Sequence, residues 1–327
     1  MKKTGLIGLT VTALTILTVP VLAQSYPDRT ITLIVPQTPG GATDTMSRIF
    51  ATAMSKELGQ EIVVENRPGA GNTIGMTAVA ESDPDGYTLG VGTQSSLSIA
   101  PLRMPDLAYD PIDSFLPVYN FANIPNALMV WTGLGPKSLD ELVAYANENP
   151  GELNYASGGT GSTSHFATAQ FAAMADIEDK AVHIPYQGGG KAAGGLASGE
   201  AHFLVGPFSS SAMFGQIQAG KLIAVAVAGD KRVDKLPDTP TFAEAGLPDY
   251  NNIGWYGMVA PAGTPPEVIA RLNDAGNAAA KSAEVIEALG NMGIDPVQVT
   301  PEEFAAQIQT NLDSFTKLVD DGAVTLE

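Results

Sequence analysis

Cysteine is absent from all 327 residues. That excludes disulfides, a thiolate nucleophile, a cysteine-ligated metal and a lipid anchored on cysteine. Histidine occurs 3 times, at His165, His183 and His202, without the H-x-x-x-H spacing that sets two rings on one helical face around zinc. No G-x-S-x-G nucleophile elbow occurs either. Positive charge is scarce: Lys+Arg 17 against Asp+Glu 35 gives a formal net charge of -18. Such a chain is repelled by nucleic acid and by anionic membrane surfaces. A small anion remains open as a ligand, because exposed charges are screened beyond about 8 Å at physiological salt and a pocket answers to its nearest dipoles.

What is present begins with an export signal. Lys2 and Lys3 precede the uncharged run from Leu6 to Leu22, which closes on Val21-Leu22-Ala23 before Gln24. The pattern predicts a cleavable signal peptide over 1–23, cut after Ala23, and a periplasmic protein with no membrane insertion after cleavage. Removing 23 of the 327 residues leaves 304, enough for two domains with cores of their own. Without disulfides those cores alone must hold the chain.

Short β-rich runs alternate with helical patterns along the chain, at 30–36, 61–66, 87–93, 153–157, 181–185, 201–206 and 222–228. Many are apolar on consecutive residues, as in strands covered on both faces, so the class is α/β. Ser138 with Glu141, Thr241 with Glu244, Thr264 with Glu267 and Thr300 with Glu303 match the capping box, with Pro265 and Pro301 at first helical positions. These are structural signals without chemistry.

Two stretches carry more. In "VPQTPGGATDTMSRIF", residues 35–50, an expected strand breaks into a Gly-Gly loop. A helix then follows from near Thr43, with Met46, Ile49, Phe50, Ala53, Met54 and Leu58 on one face and Gly59 closing it. In "NYASGGTGSTSHFATAQF", residues 154–171, the same design recurs with Gly158, Gly159, Gly161, Ser162, Thr163 and Ser164. A helix start leaves backbone N–H groups unpaired at the positive end of its dipole, so both junctions suit an anion. The alternative is plain capping, with Thr43 or Asp44 closing the first helix and glycines making the turn. Two such junctions suggest two walls of one cleft and a carboxylate ligand. His165 reads either as a donor to that ligand or as a cap partner, whereas His183 and His202 read as structural.

Other glycine runs fit known loops poorly. "ENRPGAGNTIG" spaces its glycines at 69, 71 and 75 rather than as G-x-G-x-x-G, and "PYQGGGKAAGG" has Ala192 where a phosphate loop needs a hydroxyl. No cofactor and no metal are expected. An exported α/β enzyme acting on a carboxylate, with a dinucleotide at Gly69 to Gly75, is the alternative from a different class.

With these residues in view, the chain resembles a periplasmic solute receptor of the tripartite tricarboxylate transporter family, also called Bug receptors. The resemblance rests on "YPDRTITLIVPQTPGGATD", "VVENRPGAGNTIG", "DPDGYTL", "YDPIDSFLPV", "GELNYASGGTGSTSHFA", "HIPYQGGG", "AGKLIAVAVAGDKR", "LPDTPTFAEAGLPDY" and "GWYGMVAPAGTP". It implies two Rossmann-like domains in a clamshell, as in a type II periplasmic binding protein, capturing a di- or tricarboxylate or an aromatic dicarboxylate. The acid would pass to membrane transporter subunits, or the receptor would feed a sensor kinase. The implied first wall is Gln37, Gly40, Gly41, Ala42 and Thr43 with Thr93. The implied second wall is Ser157, Gly161, Ser162, Thr163 and His165, with Gly188 and Phe208 bordering the cleft. The implied division is 24–125 and 248–327 in the first domain and 126–247 in the second. "ENRPGAG" reads as structural, and Gln37 stands where members commonly carry an aromatic residue.

Overall fold

The structure is a computed structural model that describes residues 26–208 and 210–326; the expected signal peptide lies outside the described residues. In chain order, the first lobe opens with β1 (Ile31–Val35), α1 (Ala42–Leu58), β2 (Ile62–Asn66), α2 (Thr73–Ala80), β3 (Thr88–Thr93) and α3 (Ala100–Arg103). The long strand β4 (Phe115–Trp131) leads into the second lobe: α4 (Leu139–Glu148), β5 (Leu153–Ser157), α5 (Thr163–Met174), β6 (Ala181–Pro185), α6 (Gly189–Ser198), β7 (Phe203–Pro207), α7 (Ser211–Gln218) and β8 (Leu222–Val227). Then β9 (Ile253–Pro261) returns to the first lobe, followed by α8 (Pro266–Ala280), α9 (Ala283–Met292) and α10 (Pro301–Asp320).

Strand pairing explains the two lobes. The first sheet runs β2-β1-β3-β9-β4, and the second continues from β4 through β7 and β5 to β6, with β8 on the other side of β4. Within β4, residues from Phe115 to Pro125 pair antiparallel with β9, while Asn126 to Trp131 pair with β7 and β8. One strand thus belongs to both sheets and changes partners between Pro125 and Asn126. The molecule is an α/β clamshell whose lobes repeat one topology, since β5, β6 and β7 relate to one another as β1, β2 and β3 do.

Each lobe has its own core. Phe50 stacks on Phe121 at 4.8 Å beside Tyr119 in the first; Phe171, Phe203, Phe242 and Tyr250 cluster in the second. A third apolar cluster ties the lobes together. Phe166 of α5 meets Phe315 of α10 at 4.9 Å, with Ile99 and Leu318 around them. Beside it Gln170 Nε2 donates to Ser314 Oγ at 2.8 Å.

The local signals held unevenly. Helix α1 begins at Ala42 behind Gly41 and ends on left-handed Gly59, burying Met46, Phe50, Ala53, Met54 and Leu58. Thr300 and Glu303 form the full reciprocal box with Pro301 at the first helical position. Thr241 and Glu244 exchange the same two bonds but close only a turn. Thr264 makes no box: its hydroxyl donates back to Pro261 O, and Pro265 stands at the cap with Pro266 opening α8.

Candidate functional site

In each lobe the chain runs outward from the first strand to the second and then crosses to the third, the reversal that opens a crevice at the carboxyl ends of the strands. Gln37 follows β1, Thr93 ends β3, Ser162 and Thr163 follow β5, and Pro207 ends β7. All of them line one hollow of about 260 Å³ between the lobes. Asn72 and Ser95 complete its walls, and Ile124, Asn126 and Gly254 to Tyr256, from the crossing strands, make its floor together with Gln94. Among the described residues, no charged side chain lines it.

The first wall is pinned by a buried acid. Asp44 is 4% exposed and accepts the Gly40 amide at 2.9 Å, Asn66 Nδ2 at 2.9 Å and the Arg48 guanidinium at 3.1 Å. Burial alone would push this carboxyl up, but the hydrogen bonds from Arg48, Gly40 and Asn66 together hold it at about 2. Asn66 Nδ2 also donates to Gln37 O at 3.0 Å, so one carboxylate and one amide fix the strand-to-helix loop. Gly40 takes φ 85°, a left-handed turn suited to glycine. The amides of Ala42, Thr43 and Asp44 have no acceptor among the described residues, as a helix start leaves them. Gly40, Gly41 and Ala42 are exposed beyond Gln37, Thr43 is buried, and none of the four lines the hollow.

The second wall is held from beneath by a ring stack. Ser162 caps α5 by accepting the His165 amide at 3.2 Å, and His165 Nδ1 accepts the Gly161 amide at 3.1 Å. That bond fixes the neutral tautomer of His165 with its proton on Nε2. The His165 ring lies on His183 at 3.9 Å between centroids, and His183 lies on Tyr155 at 4.9 Å. Ser157 Oγ accepts the Gly159 amide at 3.1 Å and pairs with His183 Nε2 at 2.6 Å. The Gly188 amide donates to Gly158 O at 3.0 Å. Above this support, among the described residues, the Thr163 hydroxyl has no hydrogen-bond partner and the Thr163 and Ser164 amides have no acceptor.

The expected residues therefore divide. Gln37, Thr93, Ser162 and Thr163 come together around the hollow. His165, Ser157 and Gly188 brace the second loop from below, because the Gly161 amide needs an acceptor and the imidazole supplies it. Phe208 is wholly buried among Ala127, Met129 and Leu204, so the cleft border beside it is Pro207. No residue of "ENRPGAG" itself lines the hollow, but the stretch positions the residue that follows it. Ala70, Gly71 and Asn72 all take positive φ, of 45°, 68° and 80°, which turns Asn72 into the hollow. A left-handed asparagine after Gly-x-Gly was the available signal. Gly75 does pack structurally, since a Cβ there would stand 2.9 Å from Arg67 O and Pro36 Cβ. Gln94 and Asn126 had no sequence signal.

The same groups set an acid limit. Burial pushes His165 and His183 down to about 4, with each other's proximity adding to the effect at His165. In the unfolded chain both would titrate near 6.5, so between about 6.5 and 4 the unfolded state binds more protons and stability falls as pH falls. Asp44 extends the loss, since its contribution disappears from about pH 4 towards 2. The expected result is a melting temperature that drops steadily below pH 6.5, with a smaller drop down to pH 4 in His183→Gln. An unchanged slope in that variant would show that the stack is not the titrating element.

Comparison with known proteins adds the following. The family model for the tripartite tricarboxylate transporter family receptor matches residues 46–323. The protein BugT of Bordetella pertussis is 35% identical over 305 residues, covering 92% of this chain and 91% of BugT. A Rhodopseudomonas palustris protein solved with adipate is similar at 32% identity, with a TM-score of 0.75, covering 92% of this chain and 99% of that one. MatC from the same organism, solved with bound malate, matches at 33% identity and a TM-score of 0.71, covering 90% of this chain and 100% of MatC.

Proposed function

This chain belongs to the tripartite tricarboxylate transporter receptor family, and from that premise we propose that it captures a small di- or tricarboxylate between its lobes and delivers it to membrane subunits of such a transporter. The observation that carries the reading is the uncharged hollow at the strand ends, walled by Gln37, Thr93, Ser162 and Thr163 with unpaired helix-start amides beside it. Dipoles rather than a fixed cation neutralise the ligand there, so it can be held firmly and still released. A charge-assisted hydrogen bond contributes about 1.5 to 3 kcal/mol, and a few of them reach the roughly 8 kcal/mol of micromolar binding. A volume of about 260 Å³ lies just under the roughly 300 Å³ at which drug-sized sites begin, which suits a small acid.

In this reading the chain is exported after cleavage behind Ala23 and performs no chemistry on its ligand. The lobes divide as 24–125 with 248–327 and 126–247, a division supported by the change of partners in β4. Closure is a population shift that the ligand drives by touching both walls.

A thermal-shift screen of the mature protein against small carboxylic acids, followed by calorimetry, tests this. One acid at 100 times its dissociation constant should stabilise the protein by about 2.7 kcal/mol. Silence across all acids, or turnover of any of them, sinks the reading. Thr163→Ala should weaken binding by about 1 to 3 kcal/mol without loss of stability, because its hydroxyl has no partner among the described residues. Ser162→Ala should weaken binding similarly, and the lost cap costs about 1 kcal/mol of stability besides.

A further inference from the structure

The floor of the hollow has a polarity opposite to that of its walls. Asn126, at the point where β4 changes sheets, is 4% exposed, and Gln94, just past the end of β3, is 3% exposed. Both amide nitrogens are used up within the protein. Asn126 Nδ2 donates to Asn252 O at 3.0 Å and to Asn252 Oδ1 at 3.1 Å. Gln94 Nε2 donates to Ile253 O at 3.1 Å and to Asn311 Oδ1 at 3.0 Å.

The main-chain carbonyls of Asn252 and Ile253 can only accept, so each fixes which end of its amide is nitrogen and which is oxygen. Two consecutive carbonyls at the start of β9 therefore turn both nitrogens away. Asn126 Oδ1 and Gln94 Oε1 remain, and neither accepts a hydrogen bond among the described residues. Both side chains line the hollow. Amide oxygens held this way keep access to water at the surface of the hollow, and a ligand that displaces that water has to supply a donor in its place.

A bare dicarboxylate has none to offer at neutral pH, since a carboxylate only accepts. Resting on the receptor reading above, we propose that the ligand is a hydroxycarboxylate, whose hydroxyl proton is received by Asn126 Oδ1 and Gln94 Oε1 while its carboxylate meets the amides and hydroxyls of the walls. An ammonium group is the other donor chemistry. It is disfavoured because, among the described residues, no carboxylate lines the hollow to balance a desolvated cation.

The test is calorimetry with matched acids that differ by one donor: propionate and lactate, succinate and malate, tricarballylate and citrate, with aspartate as the ammonium arm. The wild-type protein should bind the hydroxylated member of one pair at least about tenfold more tightly than its parent, because the parent displaces water from two acceptors without replacing its donors. In Asn126→Ala and, separately, Gln94→Ala that ratio should shrink towards one. General damage to the hinge would weaken both members equally and leave the ratio intact, so the ratio reports the acceptor role.

Equal affinity for hydroxylated and parent acids would overturn the inference while leaving the receptor reading standing, with ordered water meeting the acceptors instead. A preference that survives in both variants would overturn it too, as would tightest binding by aspartate. Failure of every acid to bind would remove the receptor reading and this inference with it.

Discussion

Gly161→Val loses ligand affinity by at least tenfold while the melting temperature falls only a few degrees. Gly161 takes φ 69°, where a β-branched residue is strained. A Cβ at this position would also stand 2.4 Å from Arg103 Cδ, because that side chain reaches across from the first lobe and lies on the glycine. Arg103 is exposed and flexible, so it can move aside at little cost. The backbone strain, about 1 to 2 kcal/mol, has no such outlet. It is relieved only if the loop leaves the left-handed region, which withdraws the Gly161 amide from His165 Nδ1 and turns Ser162 and Thr163 away from the hollow. The measurement is calorimetry beside thermal denaturation, using whichever acid stabilises the wild type. Unchanged affinity would mean that the second loop does not hold the ligand. Gly41→Val is the informative partner: φ there is -77° and a Cβ would meet nothing nearer than Thr38 O at 3.8 Å, so its folding is spared.

Phe304→Ala lowers the stability of the protein by about 3 to 5 kcal/mol, the usual cost of removing a fully buried ring. Phe304 is 0% exposed on α10, edge-on to Trp255 at 5.2 Å. Its ring fills the place a side chain would occupy at Gly257, where a Cβ would come within 2.3 Å of Phe304 Cζ and 2.9 Å of Tyr119 O. Glycine and phenylalanine here form a single packed unit, so α10 docks on the crossing strand β9 through this ring. The same helix carries Asn311, which accepts from Trp255 Nε1 at 2.6 Å and from Gln94 Nε2 at 3.0 Å. Loosening α10 should therefore also weaken ligand binding by unsettling the floor. Denaturant unfolding measures the first effect and calorimetry the second. A loss below about 1 kcal/mol would contradict the packing argument.

The uneven legibility of the fold follows from where its information lies. The strands at β1, β2, β3, β5, β6, β7 and β8 were readable because each is a short apolar run between turn residues, a local property. The crossing strands were not read as strands. β4 carries Pro117 and Pro125, residues that discourage a central strand, and both fall at irregular points: the register shifts after Pro117, and Pro125 is the last partner of β9. β9 carries Gly254 and Gly257, which weaken a strand signal but leave room for Ile124 and Phe304. The box of Thr241 and Glu244 formed without a helix, since capping chemistry needs only a turn.

At the site, local pattern was enough for the two glycine loops and their hydroxyls, because left-handed turns and helix starts demand those residue types at those spacings. Ser162 and Thr163 were nameable for that reason, whereas Gln37 and Thr93 came from the family resemblance. Packing between distant segments is what turns His165 and Ser157 down towards a ring stack, puts Phe208 in the core, and brings Asn72, Gln94 and Asn126 to the hollow. Their roles depend on where two sheets cross and on which main-chain carbonyls receive an amide nitrogen. Such contacts join residues as far apart as Asn126 and Asn252, and no local pattern records them.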